Sequence, residues 1–224
     1  EEYPVGGGDE DFNWARPITR VGIPATTPGG TTVREGLENW LFPALTEAIS
    51  LTASTPSRQF GASNAVTLSW TATKGTNSIQ HITVDGTVVI PTGNTQSGTK
   101  NVSAVQNVNT SWSATVDDGT TPVTASATVT WFHKRFFGFL DLPAGLAETV
   151  TDAMILGIAG QELSTTRVQT RNGIDAAGKY LAFAWPTTFG TPVFTVNGLP
   201  NTAFTKIRSN SPFVNSDGYT ANYD

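Results

Sequence analysis

The chain contains no cysteine. That excludes disulfide staples and thiolate-bound metals, so stability must come from packing, with association between copies open as a second source. Only two histidines occur, His81 and His133, with no H-x-H or H-x-x-x-H spacing, so the sequence carries no zinc-site signature. Charged residues are scarce, 14% of 224, and acidic in balance: 13 Lys and Arg against 18 Asp and Glu, a net charge of −5. Nucleic-acid surfaces usually need a basic patch, so no nucleic-acid partner is expected. No run approaches the roughly 20 apolar residues that span a bilayer, and no membrane insertion is expected. There is no G-x-S-x-G elbow and no P-loop. The adjacent carboxylates Asp117 and Asp118 run into Gly119 and read as a turn rather than as a glycosidase pair. The expectation is a protein with no catalytic residue, no metal and no cofactor.

What the sequence does have is Ser, Thr, Asn, Gly and short apolar alternation. Over residues 48–132, Ile49-Leu51-Ala53, Val66-Leu68-Trp70-Ala72, Trp112-Ala114-Val116 and Val123-Ala125-Ala127-Val129-Trp131 alternate with Ser and Thr. Period two places the apolar set on one face and the hydroxyl set on the other. Ile82 and Val84 lead into Asp85-Gly86, a pair suited to a tight hairpin, and Val88–Ile90 follow. About seven short strands in roughly 85 residues is the rhythm of an immunoglobulin-like β-sandwich. Trp70 and Trp112 are expected to fill its core, and its loops around Gly75–Ser78 and Gly93–Gly98 are the places to look for binding.

Residues 1–47 read as an N-terminal arm with one short helix. Gly6-Gly7-Gly8 precedes the acidic run Asp9-Glu10-Asp11, which lacks EF-hand spacing and reads as a solvated arm. Val21–Gly30 is strand-like and then turn-rich. Thr32-x-x-Glu35 forms a capping box, and Val33, Leu37, Trp40 and Leu41 share a helical face that Pro43 ends. So short a helix is marginal alone, so this face docks either on its own chain or on a sister subunit.

Residues 133–224 read as a small α+β module. An aromatic strand, HKRFFGFL at 133–140, leaves the sandwich. Thr151 caps a short helix through Ala153, Ile155, Leu156 and Ile158, and strands are expected at Thr166–Thr170 and Lys179–Trp185. Val193–Val196 leads to the Asn197-Gly198 hairpin signal, with Phe204–Ile207 as the return strand. The last residues, GYTANYD at 218–224, read as the beginning of another strand, and the polypeptide is expected to continue past Asp224. The aromatics of this half form either its core or an interface that can bury rings or stack sugars. The interface candidates are Trp14, Leu37, Trp40, Leu41, Phe42, Phe136, Phe137 and Trp185.

The order of these segments resembles that of tailed-phage fibre, baseplate and other virion structural proteins. The carrying stretches are VGIPATTPGGTTVREGLENWLFP (21–43), ISLTAS (49–54), VTLSWTATKGTNSIQHITVDGTVV (66–89), FFG (136–138), TDAMILGI (151–158), YLAFAWP (180–186), FTVNGL (194–199) and GYTANYD (218–224). The resemblance implies a mainly β protein, an immunoglobulin-like sandwich between an arm and an α+β module. It further implies a homotrimer at the virion surface, contacting other virion proteins and a host surface glycan or protein, with no catalytic residues to carry over. The other reading of the same residues is a carbohydrate-binding module of a secreted bacterial enzyme or adhesin.

Overall fold

Alternation in Ala65–Thr73 buries Val66, Leu68, Trp70 and Ala72 and leaves Ser69, Thr71 and Thr73 exposed, so this strand can lie only with one face on a core. A computed structural model describes residues 41, 43–143, 145, 149–175, 177–200 and 204–224, so the arm and most of the capped helix segment lie outside the described residues. In chain order the strands are β1 (Ala48–Ala53), β2 (Ser57–Gln59), β3 (Ala65–Thr73), β4 (His81–Val84), β5 (Thr87–Val89), β6 (Thr95–Ser103), β7 (Thr110–Asp117), β8 (Val123–Phe132), β9 (Lys134–Leu140), β10 (Gly160–Leu163), β11 (Tyr180–Ala184), β12 (Thr195–Val196), β13 (Leu199–Pro200), β14 (Ser211–Val214) and β15 (Thr220–Tyr223). One short helix, α1 (Asp152–Leu156), lies between β9 and β10. The protein is therefore mainly β.

The first eight strands form two sheets, β1-β3-β6 and β2-β8-β7-β4-β5. All pairs are antiparallel except β2 with β8. Their inner faces share one core that includes Leu68, Trp70, Ile82, Trp112, Val129 and Trp131. Asp85 (φ 45°) and Gly86 (φ 73°) make the two-residue turn between β4 and β5, as the sequence implied. β6 was not legible as a strand. Its sequence, TQSGTKNVS, has one apolar residue, yet all nine positions pair with β3. The segment expected as a binding loop at Gly93–Gly98 is therefore a bend followed by strand. Gly98 is where the Trp70 ring crosses β6: a Cβ there would lie 2.7 Å from Trp70 Cζ2.

The second core gathers Phe136, Leu140, Leu142, Ile155, Ile158, Ala184, Phe213 and Tyr223 beneath the sheet β10-β9-β11 and the hairpin β14-β15. α1 starts where expected, since the Thr151 hydroxyl accepts from the Met154 amide at 3.3 Å. Two expectations need correction. Thr166–Thr170 is irregular, and the strand lies earlier, at β10. The return strand after Asn197-Gly198 is β13, not Phe204–Ile207. Asn197 (φ 51°) and Gly198 (φ 79°) reverse the chain within two residues, so pairing resumes at once.

The two cores meet at a joint. The rings of Phe60 and His133 lie 4.4 Å apart, and Tyr219 stacks on Phe60 at 5.1 Å. Asn215 donates its side-chain amide to the Phe60 carbonyl at 2.7 Å. At the other end of the two sheets, Leu45 and Thr76 exchange bonds, with the Thr76 amide donating to the Leu45 carbonyl at 2.8 Å. The entering chain and the C-terminal half thus sit at opposite ends of β3, whose nine residues span about 30 Å.

Candidate assembly surface

The interface candidates separate once placed. Trp14, Leu37, Trp40 and Phe42 lie outside the described residues. Leu41 is 58% exposed. Phe136 is the correction: at 1% exposure it is the centre of the second core, edge-on to Phe213 at 5.4 Å, and is not available to a partner. In β9 the even residues Phe136 and Leu140 point inward, and Phe137 lies on the other face. There Phe137 is half-buried beneath the Arg171 guanidinium, 3.7 Å from the ring centroid. Trp185 is half-buried, and its indole N–H donates to the Gly190 carbonyl at 3.2 Å. Trp70, Trp112 and Trp131 are buried and offer no stacking face.

The apolar surface lies instead on residues that alternation alone did not mark. Val193 is 83% exposed and Leu199 71%, with Val168 and Val196 also exposed. Beneath this hairpin runs a ladder of rings, Phe183 to Phe194 at 5.2 Å and Phe194 to Phe204 at 4.2 Å. Beside it a groove of about 670 Å³ runs along β11, lined by Leu140, Val150, Ile155, Phe183, Phe194 and Phe204 among others. The available signal was the stretch TPVFTVNGLP, 191–200, which has too few polar positions to cover both sides of a two-stranded hairpin.

The polar chemistry nearby is structural. Glu162 receives bonds from Arg135 and Arg171; burial pushes its carboxyl up, but these cations outweigh that and hold it below the usual carboxylate range. Burial likewise pushes Asp224 up, and the Asn210 amide and Lys206 overcome it. Burial raises the Tyr223 hydroxyl, which donates to the Lys134 carbonyl at 2.6 Å. In the first module the Thr120 hydroxyl and amide hold Asp118 low, fastening the loop after β7. His81 lies 3.4 Å from Asp117 at the surface, and His133 is enclosed by aromatic rings. Among the described residues no three His, Asp or Glu side chains converge, and no helix is long and apolar enough to cross a membrane. No protein-family model and no curated protein matches the sequence.

Proposed function

We propose that the chain is a non-enzymatic structural component of a tailed-phage virion, a fibre, baseplate or capsid-surface protein that assembles as a homotrimer. Residues 48–132 act as an immunoglobulin-like sandwich and residues 133–224 as a small α+β module. The sandwich reading is supported by the three-plus-five strand arrangement, with β2 crossing to pair parallel to β8. The assembly reading is carried by one observation: Val193, Val196 and Leu199 stand exposed beside an apolar groove at the end of the molecule remote from the entering chain. Monomeric proteins rarely leave such a patch uncovered. On this reading the sandwich is a spacer between two assembly surfaces, and contact with a host surface falls to exposed loops. An antibody raised against the chain should decorate density-gradient-purified virus particles in immunogold microscopy. Antigen confined to the cell fraction, with bare particles, would remove the proposal.

A further inference from the structure

The two cores share no residue. The buried set of the first ends at Trp131, and that of the second begins at Phe136. Between them β8 runs almost directly into β9, and His133 is the one residue that belongs to neither strand. Little else fastens the halves together. Among the described residues two side-chain bonds cross the joint. Asn215 donates to the Phe60 carbonyl at 2.7 Å, and the Gln59 amide donates to the Ser216 hydroxyl at 3.4 Å, long for a hydrogen bond. The rest is contact: Phe60 against the rings of His133 and Tyr219, and Gly61 seated so closely that a Cβ there would lie 2.8 Å from Tyr219 Cβ. The closed joint also buries polar atoms that have no hydrogen-bond partner, Gln59 Oε1 beside Phe60 and Ser164 Oγ opposite His133. Burying such atoms costs free energy that contact with water would recover.

Each lip of the joint is fastened within its own half. Gly61 donates its amide to the Asn107 side chain at 2.7 Å, and its carbonyl accepts from Gln106 at 3.2 Å, both within the first module. In the second, the Asn215 side-chain oxygen accepts from the amides of Asp217 and Tyr219 at 2.9 Å each. Two firm lips that meet at a weak seam part as bodies, with the φ and ψ change absorbed by the residue between the strands.

We propose that the joint is a hinge at His133, closed near neutral pH and opened by acid. This concerns the single chain and stands apart from the assembly reading above. In the closed joint Phe60, Tyr219 and Tyr223 surround the His133 ring, with centroids 4.4, 6.0 and 6.2 Å away. Burial there lowers its pKa below the 6.5 of a free imidazole. The charged groups on the surrounding elements are engaged elsewhere or face water. Arg58 of β2 bonds backbone carbonyls, Arg135 of β9 pairs with Glu162 of β10, and Asp224 after β15 pairs with Lys206. Lys134, next in the chain, opposes a further positive charge, and Asp217 on the β14-β15 turn is exposed. Opening wets the ring and returns its pKa toward 6.5, so the open form binds the proton more tightly than the closed one. Falling pH therefore moves molecules to the open form, and the ratio of open to closed rises by up to about tenfold per pH unit between the two pKa values.

The absence of native cysteine gives clean positions for paired spin labels. The full chain carrying Thr73→Cys on β3 and Val214→Cys on β14, both exposed, is labelled, diluted with unlabelled chain and measured by double electron–electron resonance. One distance is expected at pH 7.5, and a second, growing population at pH 5. His133→Phe should keep the single distance at both pH values, although His81 is still present. Asn215→Ala removes the 2.7 Å bond across the joint and should show the second distance already at pH 7.5. Near-ultraviolet circular dichroism of the buried tryptophans checks that both populations are folded. Four results would overturn the inference: the same single distance at pH 7.5 and pH 5, a second distance that His133→Phe leaves unchanged, a second distance that appears only as the tryptophan signal is lost, or an Asn215→Ala chain as closed as the parent.

Discussion

Arg58 does more for this fold than its sequence context suggests. It is buried in β2, and its guanidinium donates to the carbonyls of Thr55, Ser63 and Ala65, fastening the crossing from one sheet to the other. Arg58→Met keeps the bulk and strands three carbonyls, so the unfolding free energy should fall by roughly 2–3 kcal/mol in urea denaturation. His133 is the residue whose charge state matters most. Its ring sits among Phe60, Tyr219 and Tyr223, and burial lowers its pKa below the free-imidazole value of 6.5. The unfolded chain then binds the proton more readily than the folded one. The stability this neutral ring contributes is fully present above the unfolded pKa and declines as pH falls below it, toward the folded pKa. Thermal unfolding should therefore move to lower temperature between pH 7.5 and pH 5.5, and His133→Phe should flatten that slope. An unchanged slope in the variant would place the titration elsewhere. Sequence could say that His133 lies among aromatics; that those rings come from both halves of the chain it could not.

At the scale of elements, legibility followed the apolar count. β3, β7 and β8 each alternate large apolar residues with hydroxyl residues, and the structure buries the apolar set. β6 is the opposite case. It is an outer strand held by nine pairings to β3, and its residues are half-buried at best, so no hydrophobic period marks it. β10, GQEL, is short and polar for the same reason, its place set by pairing with the aromatic strand β9. What β6 does show is one glycine under a tryptophan. Gly98→Ala drives a methyl into the Trp70 ring and should destabilise the two-sheet module by about 1–3 kcal/mol, read by urea unfolding. The Asn197-Gly198 hairpin shows how a correct turn signal can still mislead. The turn lies at Asn197-Gly198, but the return strand is Leu199-Pro200, five residues before Phe204, although Phe204 and Ile207 have the more strand-like side chains.

For the whole molecule, the exposed face and the core of the C-terminal half must be told apart, because aromatic content alone confuses them. Phe136 and Phe137 are neighbours in sequence, yet one is core and the other lies under Arg171. Phe136→Ala should cost about 3–5 kcal/mol in stability. Leu199→Asp lies on the exposed hairpin, and should leave the melting temperature of the monomer unchanged while weakening association, measured by sedimentation velocity. The groove was not legible in the sequence because residues from Leu140 to Asp224 line it, brought together by strand order rather than by residue type. Light scattering of the purified chain at micromolar concentration bears most directly on the central reading, that this is a subunit with assembly surfaces at its two ends. The account predicts a single species at three times the 23.7 kDa chain mass. A stable species at 23.7 kDa across that concentration range would contradict it.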